Sequence, residues 1–291
     1  NQNLKILIPI LLNQTERNFE IIFVDSGSDD GTLETISNYI NKFENIYLYH
    51  INKNQFTFGK SLNIGFTESN AEIVVSLSAH CFPKNNMWLE NIIDSFSNQS
   101  IGIVFGCQSA HPETMHSEAS VQKTWFNGDS KIISGVFLNN GNAAYRKKVW
   151  KENNFDEELT GLEDIDLGKK AKVNSWEIFY SAEAEVEHLH RENYKTISNR
   201  YRREAEALKN INKNDKTDIQ IIKNTFLHCL KGFLRGVNYD IKTSKDSLQP
   251  SRDIISILRY RFSQYLGTYR GYKNNMSKNK MTNLYFYPPK I

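Results

Sequence analysis

The sequence predicts an α/β fold, a parallel sheet with helices, followed by a helical C-terminal region. In the first third of the chain, short apolar runs alternate with polar stretches of helical length, which is typical of strand–helix–strand units. From Lys195 onward the apolar residues take helical spacing instead, over 197–208, 219–237 and 254–266. A hydrophobic content of 39% is ample for a core. We therefore predict a sheet-containing domain over residues 1–190 and a mainly helical region over 191–291.

The strands are predicted from apolar runs. The run from Lys5 to Leu12 is interpreted as a buried first strand, because no small-residue cleavage site of a signal peptide follows it. The next strands are Phe19–Asp25, Ile46–His50 and Glu72–Leu77. Strands joined by helices in this way run parallel, and ligands bind at their carboxyl ends. We therefore expect the chemistry to follow the ends of these strands.

Charge is divided unevenly along the chain. Residues 191–291 carry 21 lysines and arginines against 8 acidic residues, a net charge of +13, whereas the remaining 190 residues carry 15 against 25, a net charge of −10. Two interpretations stay open: contact with an anionic membrane face or another polyanion, and a solvated helical surface. The sequence contains no recognised nucleic-acid-binding module, so nucleic acid is not an expected partner.

Cysteine usage and hydropathy predict a protein of the cytoplasm. The three cysteines, Cys81, Cys107 and Cys229, are odd in number and widely spaced, which suits a reducing compartment and gives no disulfide framework. No run of 18 apolar residues is present, so no membrane span is predicted.

The segment from Val24 to Thr32, VDSGSDDGT, is the first specific signal. A carboxylate at a strand end can accept a hydrogen bond from a nucleotide base, and the small residues after it let the backbone approach a ribose. The same segment could also be only a polar turn between a strand and a helix.

Four segments in the same order resemble the motifs of family 2 glycosyltransferases. They are Val24–Thr32, Phe58–Gly65, Asn139–Arg146 and Gly161–Gly168, and the resemblance extends over about residues 4–190, with the C-terminal third nearest to rhamnosyltransferase-like members. It implies a GT-A fold, a Rossmann-like nucleotide-sugar-binding domain with a mixed central sheet. The donor-binding residues that it implies are Pro9, Asp25, Ser26, Lys60, Asn63, Ser78, His80 and Asn142.

The chain departs from the family near its start. The family's first strand ends near a residue like Pro9 and is followed by a loop and a helix before a residue like Gln14. Here Ile10 runs straight into Leu11. We expect residues to be missing between Ile10 and Leu11, and with them a part of the nucleotide pocket.

The acidic motif Gly161-Leu-Glu-Asp164 resembles the acceptor side of the family's site. An inverting transfer needs a base that takes the proton of the acceptor hydroxyl. The resemblance implies that Asp164 is this base and that Glu163 orients the acceptor, with Asp166 the weaker candidate. The alternative is that these acids only decorate a helix N-terminus, where negative charge is favoured.

The metal site also departs from the family. Where most relatives carry Asp-x-Asp, this chain has Ser78-Ala79-His80. A histidine can bind Mn²⁺ and is less suited to Mg²⁺, which prefers oxygen. His188 and His190 lie where the family often supplies a further ligand, so we predict His80, His188 and His190 as metal ligands. The alternative is a metal-independent enzyme that uses His80 with Lys60 or Arg191 to offset the charge of the departing diphosphate.

Together these patterns predict an inverting glycosyltransferase that moves a hexose-type sugar from a nucleoside diphosphate sugar to a hydroxyl of a glycan or lipid-linked glycan. The expected setting is capsule, lipopolysaccharide or other surface-polysaccharide synthesis in a bacterium, in the cytoplasm or at the inner face of its membrane. Two alternatives stay open: a nucleotidyltransferase on a related sheet, and a non-catalytic nucleotide- or glycan-binding protein, for which the missing Asp-x-Asp is the main argument.

Overall fold

A computed structural model describes residues 2–212, 225–274 and 285–286. The chain forms two compact units. The first comprises Asn1–Ser109, Phe126–Glu157 and Glu163–His188, and the second comprises Ala110–Trp125, Glu158–Leu162 and Leu189–Ile291. The predicted boundary at residue 190 falls where the second unit resumes, but this unit also takes two segments from the middle of the chain. Lys278, Lys280 and part of the helix predicted over 219–237 lie outside the described residues.

The first unit contains two sheets. The strands, in chain order, are β1 (Ile21–Asp25), β2 (Ile46–His50), β3 (Ile73–Leu77), β4 (Cys81–Pro83), β5 (Ile101–Ala110), β6 (Lys131–Ile132), β7 (Asn142–Arg146) and β8 (Glu177–His188). β1 and β2 form a parallel pair, with Asp25 opposite His50. The larger sheet has the order β3-β7-β5-β8-β4, with β6 also paired to β8. The sequence predicted that β3 would run parallel to β1 and β2 in one sheet. Instead, β3 pairs with β7 and runs antiparallel to it.

Helices make up most of the second unit. In chain order they are α1 (Gln2–Leu12), α2 (Thr32–Ile40), α3 (Phe58–Glu68), α4 (Trp88–Asp94), α5 (His116–Trp125), α6 (Lys147–Asn153), α7 (Glu163–Val173), α8 (Tyr194–Ile211), α9 (Thr225–Thr243) and α10 (Ile254–Lys273). Helices α5, α8, α9 and α10 belong to the second unit. Among the described residues, no helix is both long and apolar enough to cross a bilayer.

The prediction of a first strand over residues 5–12 was wrong, because this segment forms α1. Leu4, Leu7 and Ile8 are buried at helical spacing. The end of the helix is held by Gln14, whose amide donates to the Asn85 carbonyl at 3.1 Å and accepts from the Leu89 N–H at 3.0 Å. With Gln14 fixed and no intervening loop, the residues before it continue as a helix. β1 and β3 lie in separate sheets.

An aromatic cluster fixes the part of the core that lies under the acidic motif. Phe66 on α3, Tyr145 on β7 and Phe155 after α6 are buried, and their rings meet edge to face with centroids 5.2–5.5 Å apart. Such arrangements stabilise aromatic pairs beyond the effect of burial alone. Contacts with α3 and with the segment after α6 therefore fix the position of the Tyr145 ring on β7.

In the second unit, α8 and α10 approach closely through glycines. A Cβ atom on Gly267 would lie 2.2 Å from the Ser198 carbonyl oxygen, and one on Gly271 would lie 2.4 Å from that of Arg202. α10 begins at the cap Asp253, whose carboxylate accepts the Ser256 N–H at 2.9 Å.

Candidate functional site

The acidic pair lies at the start of α7, as the sequence predicted. Glu163 and Asp164 are both only 7% exposed. The preceding residue, Leu162, has a φ of 59°, which is uncommon for a residue with a branched side chain. Strain of this kind is found at functional sites, where the surrounding structure holds it in place.

A loop before β7 is tied to both acids. The Asn140 N–H donates to Asp164 Oδ2 at 2.9 Å, and the Asn140 side-chain amide donates to Glu163 Oε1 at 3.4 Å. The Tyr145 hydroxyl donates to Asn140 Oδ1 at 2.6 Å. The second oxygen of Asp164 accepts the Ile165 N–H at 2.8 Å. The carboxylate is thereby held in one orientation by two backbone donors.

The environment of Asp164 favours its protonated form. Burial, and then the charge of Glu163, raise the pKa of Asp164 to about 7, although the N–H groups of Asn140 and Ile165 act in the opposite direction. Burial and the same two carboxyl groups raise the pKa of Tyr145 well above its ordinary value. Asp164 can therefore accept a proton near neutral pH, while Tyr145 remains a hydrogen-bond donor.

Asp25 lies at the carboxyl end of β1, as predicted. Its Oδ2 accepts the N–H groups of Gly27 at 2.8 Å and Ser28 at 3.1 Å. Burial raises the pKa of Asp25, but these hydrogen bonds, with one from the Ser28 hydroxyl and the nearby His50, outweigh burial and lower it. Asp25 is therefore an ionised carboxylate that shapes its own loop. Ser26 and Lys60, two further predicted donor contacts, are half-buried.

Asn63 was predicted as a donor contact, and the structure places its amide among protein groups. Its Oδ1 accepts the Trp150 indole N–H at 2.9 Å and the Phe155 N–H at 3.1 Å. Its Nδ2 donates to the Phe155 carbonyl and to Glu157 Oε1, both at 3.0 Å. These four hydrogen bonds use the full capacity of the amide. Asn63 therefore anchors the segment that follows α6.

Asn142 and Pro9 were also predicted as donor contacts, and the structure buries Asn142 and places Pro9 inside a helix. Asn142 is fully buried; its amide donates to the carbonyls of Cys107 and Ala184 and accepts the Trp88 indole N–H at 3.1 Å. A Cβ atom on Gly106 would lie 2.3 Å from Asn142 Nδ2, so the amide fills the space that this glycine leaves. Pro9 is an exposed residue inside α1, because the strand that would have placed it at the donor does not form.

Two of the predicted metal ligands meet in the first unit. The rings of His80 and His188 have centroids 4.9 Å apart, and Ser78 Oγ lies 3.0 Å from His80 Nδ1. His188 Nδ1 donates to Gln108 Oε1 at 2.6 Å, which leaves Nε2 as the acceptor nitrogen of its ring. Gln108 was missed by the sequence interpretation, because a single glutamine on a long apolar strand carries no motif.

The third predicted ligand, His190, belongs to the second unit and lies in a network of charged groups there. Its Nδ1 is 3.5 Å from Glu118 Oε1 and 3.4 Å from Glu192 Oε2. Arg200 Nη2 pairs with both carboxylates, at 2.7 and 2.8 Å. Burial raises the pKa of Glu192, but His190 and Arg200 lower it to about 2. Arg200 therefore neutralises these acids. Arg191, predicted as a possible phosphate ligand, pairs with Glu113 at 2.6 Å on the surface.

Comparison with known proteins identifies relatives of both the sequence and the fold. The model of the family described as glycosyl transferase family 2 matches residues 1–156. Over 183 residues the chain is 28% identical to the O-antigen chain rhamnosyltransferase RfbN of Salmonella typhimurium strain LT2, covering 59% of this chain and 57% of the relative. It is 27% identical to WbaN, an O-antigen chain rhamnosyltransferase of Salmonella anatum, covering 61% and 58%. The chain thus spans less than two thirds of the length of these relatives.

Two solved structures share the fold. The mannosyltransferase PcManGT from Pyrobaculum calidifontis, in complex with GDP-Man and Mn²⁺, gives a TM-score of 0.54 at 14% identity, covering 92% of this chain and 69% of that one. TarS 1-349 from S. aureus, in complex with UDP, also gives 0.54, at 17% identity, covering 90% and 86%. These likenesses identify an α/β GT-A fold. The family model matches more than half of the chain, and the chain therefore belongs to glycosyl transferase family 2.

Proposed function

We propose that this protein transfers a sugar from a nucleoside diphosphate sugar to a hydroxyl of a glycan acceptor, with inversion at the anomeric carbon, and that Asp164 is the general base. The observation that carries the proposal is the buried Asp164, held by two N–H groups and with its pKa raised to about 7. A base with a pKa near the working pH combines an available ionised form with useful proton affinity.

In this reaction the acceptor oxygen attacks the anomeric carbon while its proton passes to Asp164. The bond from that carbon to the donor phosphate breaks, and its electron pair leaves with the nucleoside diphosphate. Asp25 contributes on the donor side as an ionised carboxylate beside the small residues of its loop. Glu163 and Asn140 keep Asp164 oriented, because the two acids and the loop share hydrogen bonds.

A divalent metal ion fits part of the donor site. His80 and His188 supply two imidazoles, and Gln108 fixes the ring of His188 as outer partners of metal ligands do. The donor set suits Mn²⁺ better than Mg²⁺, since imidazole nitrogen replaces carboxylate oxygen. When bound, such an ion would offset charge on the diphosphate. The Mn²⁺ in the complex of the mannosyltransferase PcManGT supports this assignment.

The rhamnosyltransferase relatives support a bacterial surface polysaccharide as the product. The donor is proposed as a class, because the two similar structures hold different nucleotides, GDP-Man and UDP.

The proposal is tested by comparing a variant of the proposed base with a variant of a nearby acidic residue. A panel of nucleotide sugars, with and without Mn²⁺, first identifies the donor through released nucleotide. Asp164→Asn should then lower transfer by about 10²–10⁴-fold, the usual contribution of a general base, while donor affinity by calorimetry changes little. Asp166→Asn is the matched control, since Asp166 lies on the same helix and pairs with Lys170 at 2.6 Å. Transfer by Asp164→Asn within a few-fold of wild type would remove Asp164 from the mechanism.

A further inference from the structure

Two helices of the second unit, α9 and α10, each carry a row of apolar side chains that faces solvent. On α9 the row consists of Phe226, Leu227, Leu230, Leu234 and Ile241, and on α10 of Ile254, Ile255, Leu258 and Phe262. All nine side chains are between 38% and 66% exposed. Their spacing of three and four residues places each row along one side of its helix. Other residues form the buried side of each helix, such as Cys229 on α9 and Ile257 on α10.

The two rows join into one surface. α9 and α10 pack antiparallel: Gly232 lies against Tyr265, and Gly236 lies against Arg261. At one end, the ring of Phe226 contacts that of Tyr269 edge to face, with centroids 6.3 Å apart. Tyr269 follows Phe262 by two helical turns and so extends the row on α10. The apolar surface is therefore continuous across both helices.

Positive charge borders this surface on both helices. Lys231, Arg235 and Lys242 on α9 are exposed, as are Arg259 and Arg270 on α10. At 100° per residue, they project next to the apolar rows on the side away from the core.

Negative charge is almost absent from the same two helices. α10 contains no acidic residue after its cap Asp253, and α9 contains only Asp240. Asp240 is fully buried, and Arg261 pairs with it through two hydrogen bonds of 2.6 and 2.7 Å. The exposed charge along both helices is therefore positive.

We propose that α9 and α10 dock this protein on the surface of an anionic bilayer. Exposed apolar side chains bordered by basic residues are the pattern of helices that lie in a membrane interface. The apolar rows would enter the headgroup region, and the basic residues would contact lipid phosphates. A second copy of the chain fits less well, because a two-fold contact would bring the two positive borders together. This inference does not depend on the proposed reaction.

The test is sedimentation of the full chain with vesicles. We expect binding to vesicles of equal parts phosphatidylglycerol and phosphatidylcholine, little binding to phosphatidylcholine alone, and a loss of binding as salt rises. Leu234→Gln/Phe262→Gln should weaken partitioning by about tenfold for each side chain. Arg235→Glu/Arg259→Glu should weaken it at least as strongly, and only with anionic vesicles.

Matched controls make the same changes in the first unit. Val173→Gln/Met87→Gln replaces exposed apolar side chains there, and Lys42→Glu/Lys151→Glu changes the net charge equally. Both controls should bind as the wild type does. Equal pelleting with neutral and anionic vesicles, or equal losses in test and control variants, would overturn the proposal. So would a wild-type dimer in light scattering that Leu234→Gln/Phe262→Gln converts to a monomer without any change in vesicle binding, since the surface would then be an interface between copies.

Discussion

At Asp164, the properties that suit a base also cost stability. The folded protein binds a proton there more tightly than the unfolded chain does, because the pKa rises from the ordinary 3.8 to about 7. The stability that this group contributes is fully present below the unfolded pKa and is lost as pH rises from about 4 to about 7. A rise of one in the pKa corresponds to about 1.4 kcal/mol in the free energy of unfolding. Above pH 7 the buried negative charge is therefore a net penalty.

Asp164→Asn should consequently stabilise the protein in alkaline solution while it lowers the rate of transfer. Asparagine cannot ionise, so the variant avoids the penalty. We expect a higher midpoint of thermal unfolding than wild type at about pH 8 and a smaller or reversed difference at about pH 5. Scanning fluorimetry at both values measures this, with Asp166→Asn as the control. If the midpoint of Asp164→Asn does not rise relative to wild type between about pH 5 and about pH 8, Asp164 does not carry an unfavourable charge.

At the scale of elements, the contact between α8 and α10 depends on Gly267. A Cβ at this position would lie 2.2 Å from a backbone oxygen of α8, which cannot move aside as a flexible side chain could. Gly267→Ala should therefore lower the free energy of unfolding by about 1–3 kcal/mol through overpacking.

Denaturant unfolding followed by circular dichroism measures this effect. The control is Gly135→Ala, since a Cβ at Gly135 meets nothing within 4 Å and its φ is not positive. If both substitutions have the same small effect, α8 and α10 do not pack as closely as described.

Strands β1, β2 and β3 and the acidic motif could be predicted from sequence because their signals are local. The apolar run before Asp25 and the run 46–50 became β1 and β2, and Glu163 and Asp164 begin a helix as expected. The run 5–12 could not be assigned in the same way, because a short apolar run fits a buried helix as well as a strand. Whether this run forms a helix or a strand depends on contacts distant in sequence, such as those of Gln14 with Asn85 and Leu89.

The roles of individual polar residues were harder to predict than their positions. The sequence does not show whether the amide of an asparagine in a motif binds a ligand or a carbonyl of the protein. Asn63 and Asn142 proved to be engaged by backbone and indole groups, distant in sequence, which no local pattern reveals. His188 was proposed from its position, but its partner Gln108 could be found only from the pairing of strands.

At the scale of the whole molecule, the two compact units do not correspond to two consecutive stretches of chain. Helix α5, which lies in the segment 110–125, belongs with the C-terminal helices. The His116 N–H donates to the Pro250 carbonyl at 3.1 Å, and its Nε2 lies 3.0 Å from the Asp240 carbonyl oxygen. A chain that ends at residue 190 would expose the buried side of α5.

We therefore expect a fragment of residues 1–190 not to fold as an independent domain. It retains the sheets but removes the Asp240 carbonyl that His116 contacts and the Arg200 guanidinium that pairs with Glu118, and both His116 and Glu118 are buried in the full chain. Expression of the fragment beside the full chain, followed by near-ultraviolet circular dichroism and dye binding, tests this. A soluble fragment that unfolds cooperatively would show that α5 can be supported by the first unit alone.

The fit between Gly106 and Asn142 has a consequence for how this protein can change. Any side chain at Gly106 would displace the amide of Asn142 and the Ala184 carbonyl, 2.1 Å from the added Cβ, while a smaller residue at Asn142 would leave an opening and release the Trp88 indole. Neither position can therefore be substituted alone without disturbing the other. A library of variants around residues 139–142 should keep Gly106 and Asn142 unchanged, or it will mostly contain misfolded proteins.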